Sequence, residues 1–294
     1  MQSLTRESAC LVCGCSHMTP HLEILQRCSG CGFVTARLDA PVDVRQIYEG
    51  RYFTGEEYLD YLADEPFFRK NFRKRLRELL RRCSGGRLLE IGAAYGFFLD
   101  MAREHFDVVG YEINPEAVRH AREVLGVDVR TDDFLTAGVE DLGGPVDMTV
   151  MWDVIEHLER PDLFLAHIAE VSRPGALIYI TTGDIGSALA RRRGRRWRMI
   201  HPPSHLHYFD RRTLPQLLAR YGFGTLEVRS VGVARSFRQV LYSILVLGLQ
   251  RPRAYEALKK FVPPAWGFTL NTFDIMQVVA RYEGTGSPPR SPGA

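Results

Sequence analysis

The sequence predicts an α/β protein with a doubly wound, mostly parallel sheet, preceded by a small metal-binding module. Two observations carry this prediction. Short apolar segments alternate with helical patterns across residues 85–283, as in repeated strand–helix units. Five of the six cysteines stand within the first 40 residues, ahead of these units. At 294 residues, the chain is long enough for one large domain with an appendage.

Seven segments predict the strands of the sheet. They are Arg87–Ile91, Val108–Glu112, Val127–Arg130, Val146–Trp152, Ala176–Thr181, Leu226–Val233 and Asp274–Tyr282. Helices are expected from the glycine loop at 92–96 to about His105, and over Pro115–Leu125, Pro161–Ser172 and Arg211–Tyr221. Ligands of such sheets bind at the carboxyl ends of the strands, near the point where the strand order reverses.

The pattern divides the chain into four segments. We expect a zinc-binding module over 1–40, a helical linker or cap over 41–84, the α/β domain over 85–283 and a disordered tail over 284–294. The net charge of +3 does not by itself predict nucleic-acid binding. No signal peptide and no apolar run of membrane-spanning length are visible, so a cytoplasmic protein with reduced thiols is expected.

The N-terminal cysteines form two CxxC knuckles. Cys10 and Cys13 make the first, and Cys28 and Cys31 the second, with 14 residues between them. Four thiolates at this spacing predict a structural, tetrahedral zinc site with no open position. Unliganded thiols remain an alternative, and Cys15 is a fifth cysteine that could replace one of the four. The loop between the knuckles is not notably basic, which argues against nucleic acid as a partner.

A glycine loop follows the first strand of the α/β domain. Gly92 and Gly96 let the backbone approach a ligand, and Glu90 precedes them. Glu112 ends the next strand, where an acidic side chain accepts hydrogen bonds from two ribose hydroxyls. An acidic residue beside this loop would repel the pyrophosphate of NAD, yet it suits the ammonium of a methionine moiety. The charges therefore favour S-adenosylmethionine (SAM) over NAD, although a nucleotide-cofactor oxidoreductase stays open as an alternative.

Three segments resemble motifs of class I SAM-dependent methyltransferases. Residues 89–99, Leu-Glu-Ile-Gly-Ala-Ala-Tyr-Gly-Phe-Phe-Leu, resemble motif I, and Asp153-Val-Ile-Glu156-His157-Leu resembles the motif after the fourth strand. Pro202-Pro-Ser-His205-Leu-His207-Tyr-Phe209 resembles the segment after strand five in the type 11/23 subgroup, in which cysteine knuckles also precede the domain. The resemblance implies a Rossmann-like, doubly wound, mostly parallel seven-stranded sheet with an N-terminal zinc-ribbon module, and a methyltransferase domain over 85–283.

The resemblance also implies the cofactor contacts. Glu90, Gly92 and Gly96 would contact the methionine part of SAM, Glu112 the ribose, Asp132, Asp133 and Phe134 the adenine, and Asp153 the region of the sulfonium. Ala94 replaces the middle glycine of the usual loop, which would leave the loop slightly wider. Sugar C-methyltransferases with zinc modules resemble the chain near His205 but carry Glu before that histidine, where this chain has Ser204.

Methyl transfer to an oxygen needs a base, and three histidines are candidates. His157 follows the fourth strand, while His205 and His207 lie after the fifth and share one face of an extended segment. The resemblance and the histidines together predict a small-molecule or glycoconjugate acceptor, methylated at oxygen, with C- or N-methylation of a sugar or natural-product intermediate as an alternative. A non-catalytic zinc- and SAM-binding protein is a further alternative.

Two basic segments suggest how an acceptor is recognised. Residues 190–199 carry six arginines and Trp197, and are expected to form either a lid over an anionic or glycosyl acceptor or a solvated loop. Residues 235–260 hold an apolar stretch flanked by basic side chains. This stretch predicts either a core helix or a helix that contacts a membrane surface or a lipid-linked substrate.

Overall fold

The computed structural model of the chain describes residues 9–38 and 61–284. Its strands, in chain order, are β1 Met18–His21, β2 Leu25–Cys28, β3 Val34–Ala36, β4 Arg87–Ile91, β5 Asp107–Tyr111, β6 Val129–Arg130, β7 Val146–Trp152, β8 Ser172–Gly183, β9 His207–Tyr208, β10 Phe223–Ser230, β11 Val233–Ser236, β12 Gly267–Leu270 and β13 Ile275–Tyr282. Its α-helices are α1 Glu65–Leu80, α2 Phe97–Ala102, α3 Pro115–Glu123, α4 Pro161–Val171, α5 Ala188–Arg193, α6 Thr213–Arg220, α7 Phe237–Tyr242 and α8 Pro252–Leu258.

The central sheet has seven strands in the order β10-β13-β8-β7-β4-β5-β6. All neighbours pair in parallel except β13, which is antiparallel to both β8 and β10. The chain leaves β4 towards β5 and β6, then returns to the other side of β4 to form β7. The strand order therefore reverses between β4 and β7, and this arrangement confirms the predicted doubly wound sheet.

Two hydrophobic cores cover the two faces of this sheet. One contains Leu88, Val150 and Phe72 together with side chains of α2 and α3, and the other contains Ile91, Ile180 and side chains of α4 and α6. β7 lies between the two cores, and its last five residues are all buried. This burial on both faces explains the apolar sequence of the strand.

The cysteine module is joined to the α/β domain by strand pairing. β1, β2 and β3 form an antiparallel sheet whose fourth strand, β9, comes from the segment after β8. The Thr35 hydroxyl donates to the carbonyl of Leu206 at 2.9 Å, and the Phe33 ring packs 5.3 Å from that of Phe209. Cys10 and Cys28 belong to the same hydrophobic core as the sheet residues. The module is thus a continuation of the domain's core.

Several boundaries differ from the sequence prediction. β8 begins at Ser172, four residues before the expected start, and β6 is limited to two residues. The helix expected to reach His105 ends at Ala102, where a chain of backbone turns leads into β5. Within the expected helical linker, α1 extends over Glu65–Leu80. The remainder of the expected linker and nearly all of the expected tail lie outside the described residues.

The basic segment at 190–199 is folded rather than open. It continues α5 into a 3₁₀ turn at Gly194–Arg196, and Trp197 is only 2% exposed. The indole Nε1 donates to Asp274 Oδ2 at 2.8 Å, and the same carboxylate pairs with Arg198. The expectation that Trp197 faces an acceptor is therefore wrong, because its ring packs in the hydrophobic core between the module and the α/β domain. Among the described residues, no helix combines the length and the apolarity that a membrane crossing needs.

The docking of the module predicts that alanine substitutions at two phenylalanines differ in their effect on stability. Phe33 is 2% exposed, whereas Phe261 is 80% exposed. Phe33→Ala should lower the free energy of unfolding by about 3 kcal/mol, because a buried ring is replaced by a cavity. Urea unfolding would measure this, with Phe261→Ala as the matched control that changes stability by no more than about 0.5 kcal/mol. Equal effects at the two positions would contradict the docking described here.

Candidate active site

The glycine loop lies at the carboxyl edge of the sheet, where β4 ends. Gly92 has φ +74°, and a Cβ there would lie 2.4 Å from the Val154 side chain, so only glycine fits. Gly96 caps α2 with φ +80°, and its missing side chain lets α2 approach Ala121 of α3. The loop therefore exposes backbone to the crevice between β4 and β5.

Ala94 and Glu112 are hydrogen-bonded to each other at the glycine loop. Ala94 adopts φ +46°, an uncommon value for a residue with a side chain. Its amide donates to Glu112 Oε2 at 2.9 Å, and the Asn114 amide donates to Oε1 at 2.9 Å. Burial raises the pKa of Glu112, and these amides oppose that rise. Each carboxylate oxygen keeps a second lone pair, so the group is held in place and can still accept a hydrogen bond from a ligand.

Glu90 is a buried carboxylate inside the same crevice. It is 2% exposed, and Oε2 has no hydrogen-bond partner among the described residues. Burial raises the pKa of Glu90 well above its ordinary value, Glu112 adds to the rise, and Arg75 opposes it. A buried oxygen of this kind is costly unless a donor or a cation satisfies it.

Arg75 reaches the crevice from α1 and was missed by the sequence analysis. Its guanidinium lies 4.5 Å from the centre of the Trp152 ring, and its Nη2 lies 3.5 Å from Asp153 Oδ2. The side chain is 11% exposed. The available signal was its position on the apolar side of α1, between the buried Phe72 and Leu76, where a solvated arginine is not expected.

Asp153 stands directly after β7 and is turned by the backbone into the crevice. Its φ is +58°, and its amide donates to the carbonyl of Thr181 at 3.0 Å. Asp153 Oδ1 is buried without a hydrogen-bond partner among the described residues. The structure thus brings Asp153 close to Arg75, and Arg75 acts electrostatically on Glu90.

The predicted adenine residues follow β6 on the other side of the crevice. Asp132 and Asp133 are exposed, and Asp133 Oδ1 accepts from the Leu135 amide at 3.1 Å. The Phe134 ring is buried against Tyr111 and His167, at centroid distances of 5.2 and 4.9 Å. A ligand at this point could meet the Phe134 backbone and the two carboxylates, but not the Phe134 ring face.

The three candidate histidines fall into two groups. The His157 and His205 rings lie 4.4 Å apart, and His201 joins them at 3.8 Å from His205. His207 lies apart from this cluster, with Nδ1 at 3.1 Å from the Thr35 hydroxyl and Nε2 at 3.4 Å from the carbonyl of Glu159. Because both ring nitrogens of His207 face groups that join the module to the domain, its position favours a structural role.

Burial keeps His157 and His205 neutral at pH 7. It lowers the pKa of His157 to about 4, against the opposing effect of the Ser204 carbonyl. It also lowers the pKa of His205 well below its ordinary value, and the neighbouring His157 and His201 add to the effect. His157 Nδ1 lies 2.8 Å from the carbonyl of Ser204, so Nδ1 carries the proton and the lone pair is on Nε2. Neutral imidazole is the form that can accept a proton.

Glu156 lies beside these histidines and is equally buried. Neither of its carboxylate oxygens has a partner of hydrogen-bond geometry among the described residues. Burial and the negative charge of Asp153 raise the pKa of Glu156 to about 8, in spite of the nearby Thr182 hydroxyl. Ligand atoms of Glu156, His157 and His205 all lie within 4.8 Å of one another. The carboxyl group therefore lies close to the imidazoles without a hydrogen bond to either of them.

The four predicted cysteine ligands also come together. Cys10 Sγ lies 3.5 Å from Cys31 Sγ, Cys13 Sγ lies 3.5 Å from Cys28 Sγ, and all four sulfurs lie within 4.8 Å of one another. Cys15 instead contacts Ser29, with its Sγ 3.6 Å from the hydroxyl. Four zinc–sulfur bonds of about 2.3 Å in a tetrahedron place the sulfurs about 3.8 Å apart, so this donor set fits zinc.

Comparisons with known proteins agree with this geometry. Residues 63–228, more than half of the chain, match a family model described as a methyltransferase domain. A Mycolicibacterium smegmatis protein described as a probable S-adenosylmethionine-dependent methyltransferase is 30% identical over 134 residues, which are 44% of this chain and 50% of the relative. A ubiquinone biosynthesis O-methyltransferase of Sinorhizobium medicae is 32% identical over 102 residues, 33% of this chain and 41% of the relative. The chain thus spans half the length of these curated relatives or less.

Solved structures share the fold at low sequence identity. The N-methyltransferase NodS of Bradyrhizobium japonicum, solved with S-adenosylhomocysteine, has a TM-score of 0.52 and 17% identity, with 82% of this chain and 99% of that chain covered. A SAM-dependent methyltransferase of Archaeoglobus fulgidus has a TM-score of 0.50 and 18% identity, with 75% and 98% covered. These likenesses confirm the predicted fold.

The raised pKa of Glu156 predicts a pH-dependent stability difference. The folded state favours the protonated carboxyl, so this contribution is fully present below the unfolded pKa of about 4.5 and is lost as the pH rises through about 8. Glu156→Gln cannot ionise. Its stability relative to the wild type should therefore grow between pH 5 and pH 8 by up to roughly 1.4 kcal/mol per pH unit.

Urea unfolding of Glu156→Gln and of the wild type at pH 5, 6.5 and 8 would measure the difference between their free energies of unfolding. The titration of all other groups contributes equally to both proteins and cancels in this difference. Glu159→Gln is the matched control, because its side chain is exposed and the same substitution there should give no pH trend. A stability difference between Glu156→Gln and wild type that stays constant with pH would contradict the burial argument.

Proposed function

We propose a methyl-transfer reaction for this chain, which belongs to the methyltransferase-domain family of class I SAM-dependent methyltransferases. The proposed donor is SAM, and the proposed acceptor is an oxygen of a small molecule or glycoconjugate. The observation that carries the proposal is the unsatisfied Glu90 oxygen in a crevice that also holds Arg75 and Glu112.

The donor set of the crevice fits SAM better than a dinucleotide. The buried Glu90 carboxylate suits an ammonium group, and the Arg75 guanidinium suits the α-carboxylate beside it. Glu112 keeps lone pairs for ribose hydroxyls, and Asp132 or Asp133 suits the adenine amino group. A pyrophosphate at the same place would meet Glu90 and Asp153 instead of donors, which argues against the NAD alternative.

SAM, when bound, supplies a methyl group on a sulfonium whose leaving group is a neutral thioether, so no acid is needed at that side. The chain's own residues have to align the acceptor and exclude water.

The buried His157–His205 pair is the proposed base that removes the proton from the hydroxyl to be methylated, since both imidazoles are neutral at pH 7. Glu156 is proposed to stabilise the imidazolium that forms. Asp153 is proposed to lie beside the methyl-bearing end of the donor.

The relatives support both oxygen and nitrogen as the methylated atom. The Sinorhizobium medicae protein is named for O-methylation, and the Bradyrhizobium japonicum structure for N-methylation. An acceptor hydroxyl is favoured here because the buried His157–His205 pair is our proposed base and His157 follows the same strand as Asp153, whereas a neutral amine needs no base to attack a sulfonium carbon. Methylation at nitrogen or carbon remains the alternative proposal.

We also propose that the four clustered cysteines bind a structural zinc ion. Four thiolates would complete the tetrahedral coordination of zinc and leave no open position for the water that a catalytic zinc needs. The ion would hold the knuckles at Cys10–Cys13 and Cys28–Cys31, and through them β2 and β3, which pair onward to β9. Zinc would thereby stabilise the segment that carries His205.

Contact with a membrane surface or a lipid-linked acceptor stays a prediction. The residues between β10 and β13 carry large exposed side chains, including Phe261 at 80% and Trp266 at 59% exposure. Lys259, Lys260 and several arginines lie among them. Aromatic and basic side chains in one exposed insert are what such contact requires.

The crevice assignment predicts that Glu112→Ala weakens the binding of S-adenosylhomocysteine. Loss of a charged acceptor for the ribose hydroxyls should raise the Kd by tenfold or more, as expected for about 1.5–3 kcal/mol. Isothermal titration calorimetry would measure it. Glu116→Ala, an exposed glutamate on α3, is the control and should bind as the wild type does. Unchanged affinity in a folded Glu112→Ala protein would argue against the placement of the donor.

The zinc proposal predicts different outcomes for two cysteines. Cys28→Ser should lose the bound zinc and lower the Tm, because the knuckle loses a ligand and the folding energy that the metal supplies. Cys15→Ser should retain one zinc per chain and the wild-type Tm. Metal content by mass spectrometry, together with thermal unfolding, would check both. Equal zinc content in the two variants would refute the ligand assignment.

A further inference from the structure

A cavity separate from the glycine-loop crevice lies where the cysteine module meets the α/β domain. We call it the junction cavity; its volume is about 760 Å³. One wall comes from the module, including Arg27, Gly32 and Val34. The opposite wall comes from residues 184–191, which follow β8, and from residues 210–212 before α6. Cavities of this size hold small organic ligands.

The charges that line the junction cavity do not balance. Four arginines line it, namely Arg27, Arg191, Arg211 and Arg212, against the two carboxylates Asp184 and Asp210. Asp184 pairs with Arg211 at 3.1 Å, and Asp210 Oδ1 accepts from backbone amides and a hydroxyl at the start of α6. Among the described residues, no carboxylate pairs with Arg27, Arg191 or Arg212. Arg191 donates to the carbonyl of Gly186, and no described carboxylate neutralises any of these three guanidinium charges.

Two of these guanidinium groups converge on one point. A Cβ at Gly32 would lie 3.2 Å from Arg27 Nη2 and 3.8 Å from Arg212 Nη2. Gly32 has φ +84°, so the backbone there is also one that glycine favours. Like charges this close repel each other, and an anion between them removes the repulsion. Phosphate and carboxylate are the groups that paired arginines bind best.

The rest of the lining combines apolar and aromatic side chains with His21, Ser187 and Ser230. Val34, Ile185 and Ile200 contribute apolar surface. Phe273 stands at the edge with 66% exposure and with φ +59°, a strained value for a residue with a side chain. The cavity therefore suits a molecule that carries an anionic group together with an apolar or ring-bearing portion.

The junction cavity lies near the end of β7, where the proposed methyl-transfer site begins. Thr181 pairs with Trp152, which precedes Asp153, and Asp184 lies three residues further along the chain. Three extended residues span about 10 Å. We propose that the junction cavity binds the phosphate or carboxylate end of a small organic acceptor, an inference that rests on the proposed methyl transfer. The reactive end of such a molecule would then extend towards Asp153.

The second cysteine knuckle shapes this cavity. Arg27 directly precedes Cys28, and Gly32 directly follows Cys31. Anion binding is therefore coupled to the metal that holds the knuckle. This gives the zinc module a direct part in recognising the acceptor as well as in stabilising the fold.

Calorimetry with inorganic pyrophosphate, and separately with citrate, tests the proposal at constant ionic strength. The full-length zinc-loaded protein should bind at least one of the two, and the preference tells phosphate from carboxylate. Arg27→Gln and Arg212→Gln should each weaken binding by tenfold or more. Arg192→Gln is the matched control, because Arg192 is exposed on α5 and does not line the cavity. Failure of both anions to bind, or equal weakening in the control, would overturn the proposal.

Two further arms separate this inference from the proposed function. Pyrophosphate or citrate should bind equally well to protein saturated with S-adenosylhomocysteine, since the two sites are distinct; competition would overturn the placement. Removal of zinc by a chelator should abolish anion binding, and unchanged binding would refute the coupling to the knuckle. If S-adenosylhomocysteine fails to bind while the anion binds, the methyl-transfer proposal fails and the anion site stands.

Discussion

The register of the three parallel strands β4, β7 and β8 determines which side chains meet at the candidate active site. Ile91 of β4 pairs with Met151 of β7, and Trp152 of β7 pairs with Thr181 of β8. The chain therefore leaves all three strands at one edge of the sheet, within a few residues of the same height. Glu90, Asp153 and the segment that begins at Asp184 come together for this reason, although they are far apart in sequence. A shift of one residue in either pairing would turn these side chains into the opposite core.

The cysteine module extends this edge instead of sitting beside it. β9 is only two residues long, yet it belongs to the module's sheet and lies between His205 and the start of α6. The backbone amides of Leu206 and His207 both donate to the carbonyl of Glu156. The histidine cluster is consequently held from two directions, by the turn after β7 and by a strand that the module anchors. Rigid support from two elements is what keeps a buried imidazole in one orientation.

Local sequence patterns predicted most strands and helices of the fold, and part of the candidate active site. Val146–Trp152 was predicted to the residue, because a strand buried on both faces is apolar throughout. β8 was predicted too short, since Arg173, Pro174 and Gly175 look like a turn but form an exposed irregularity in the β7–β8 pairing after Ser172. Arg75 was missed because nothing in a helix pattern tells a buried cation from a solvated one. Trp197 was misassigned because its partner, Asp274, is 77 residues away. Contacts at that separation depend on the folded topology and leave no periodic signal.

The three tryptophans fall into three different environments. The Trp152 indole is stacked under the Arg75 guanidinium, Trp197 is buried against Asp274 in the core between the module and the domain, and Trp266 is 59% exposed in the insert between β10 and β13. Emission of an indole shifts to the blue in an apolar setting and is quenched by nearby charged or polar groups. Single-tryptophan versions of the chain would thus carry a built-in optical probe for the crevice, for the module junction and for the insert, with no dye attached.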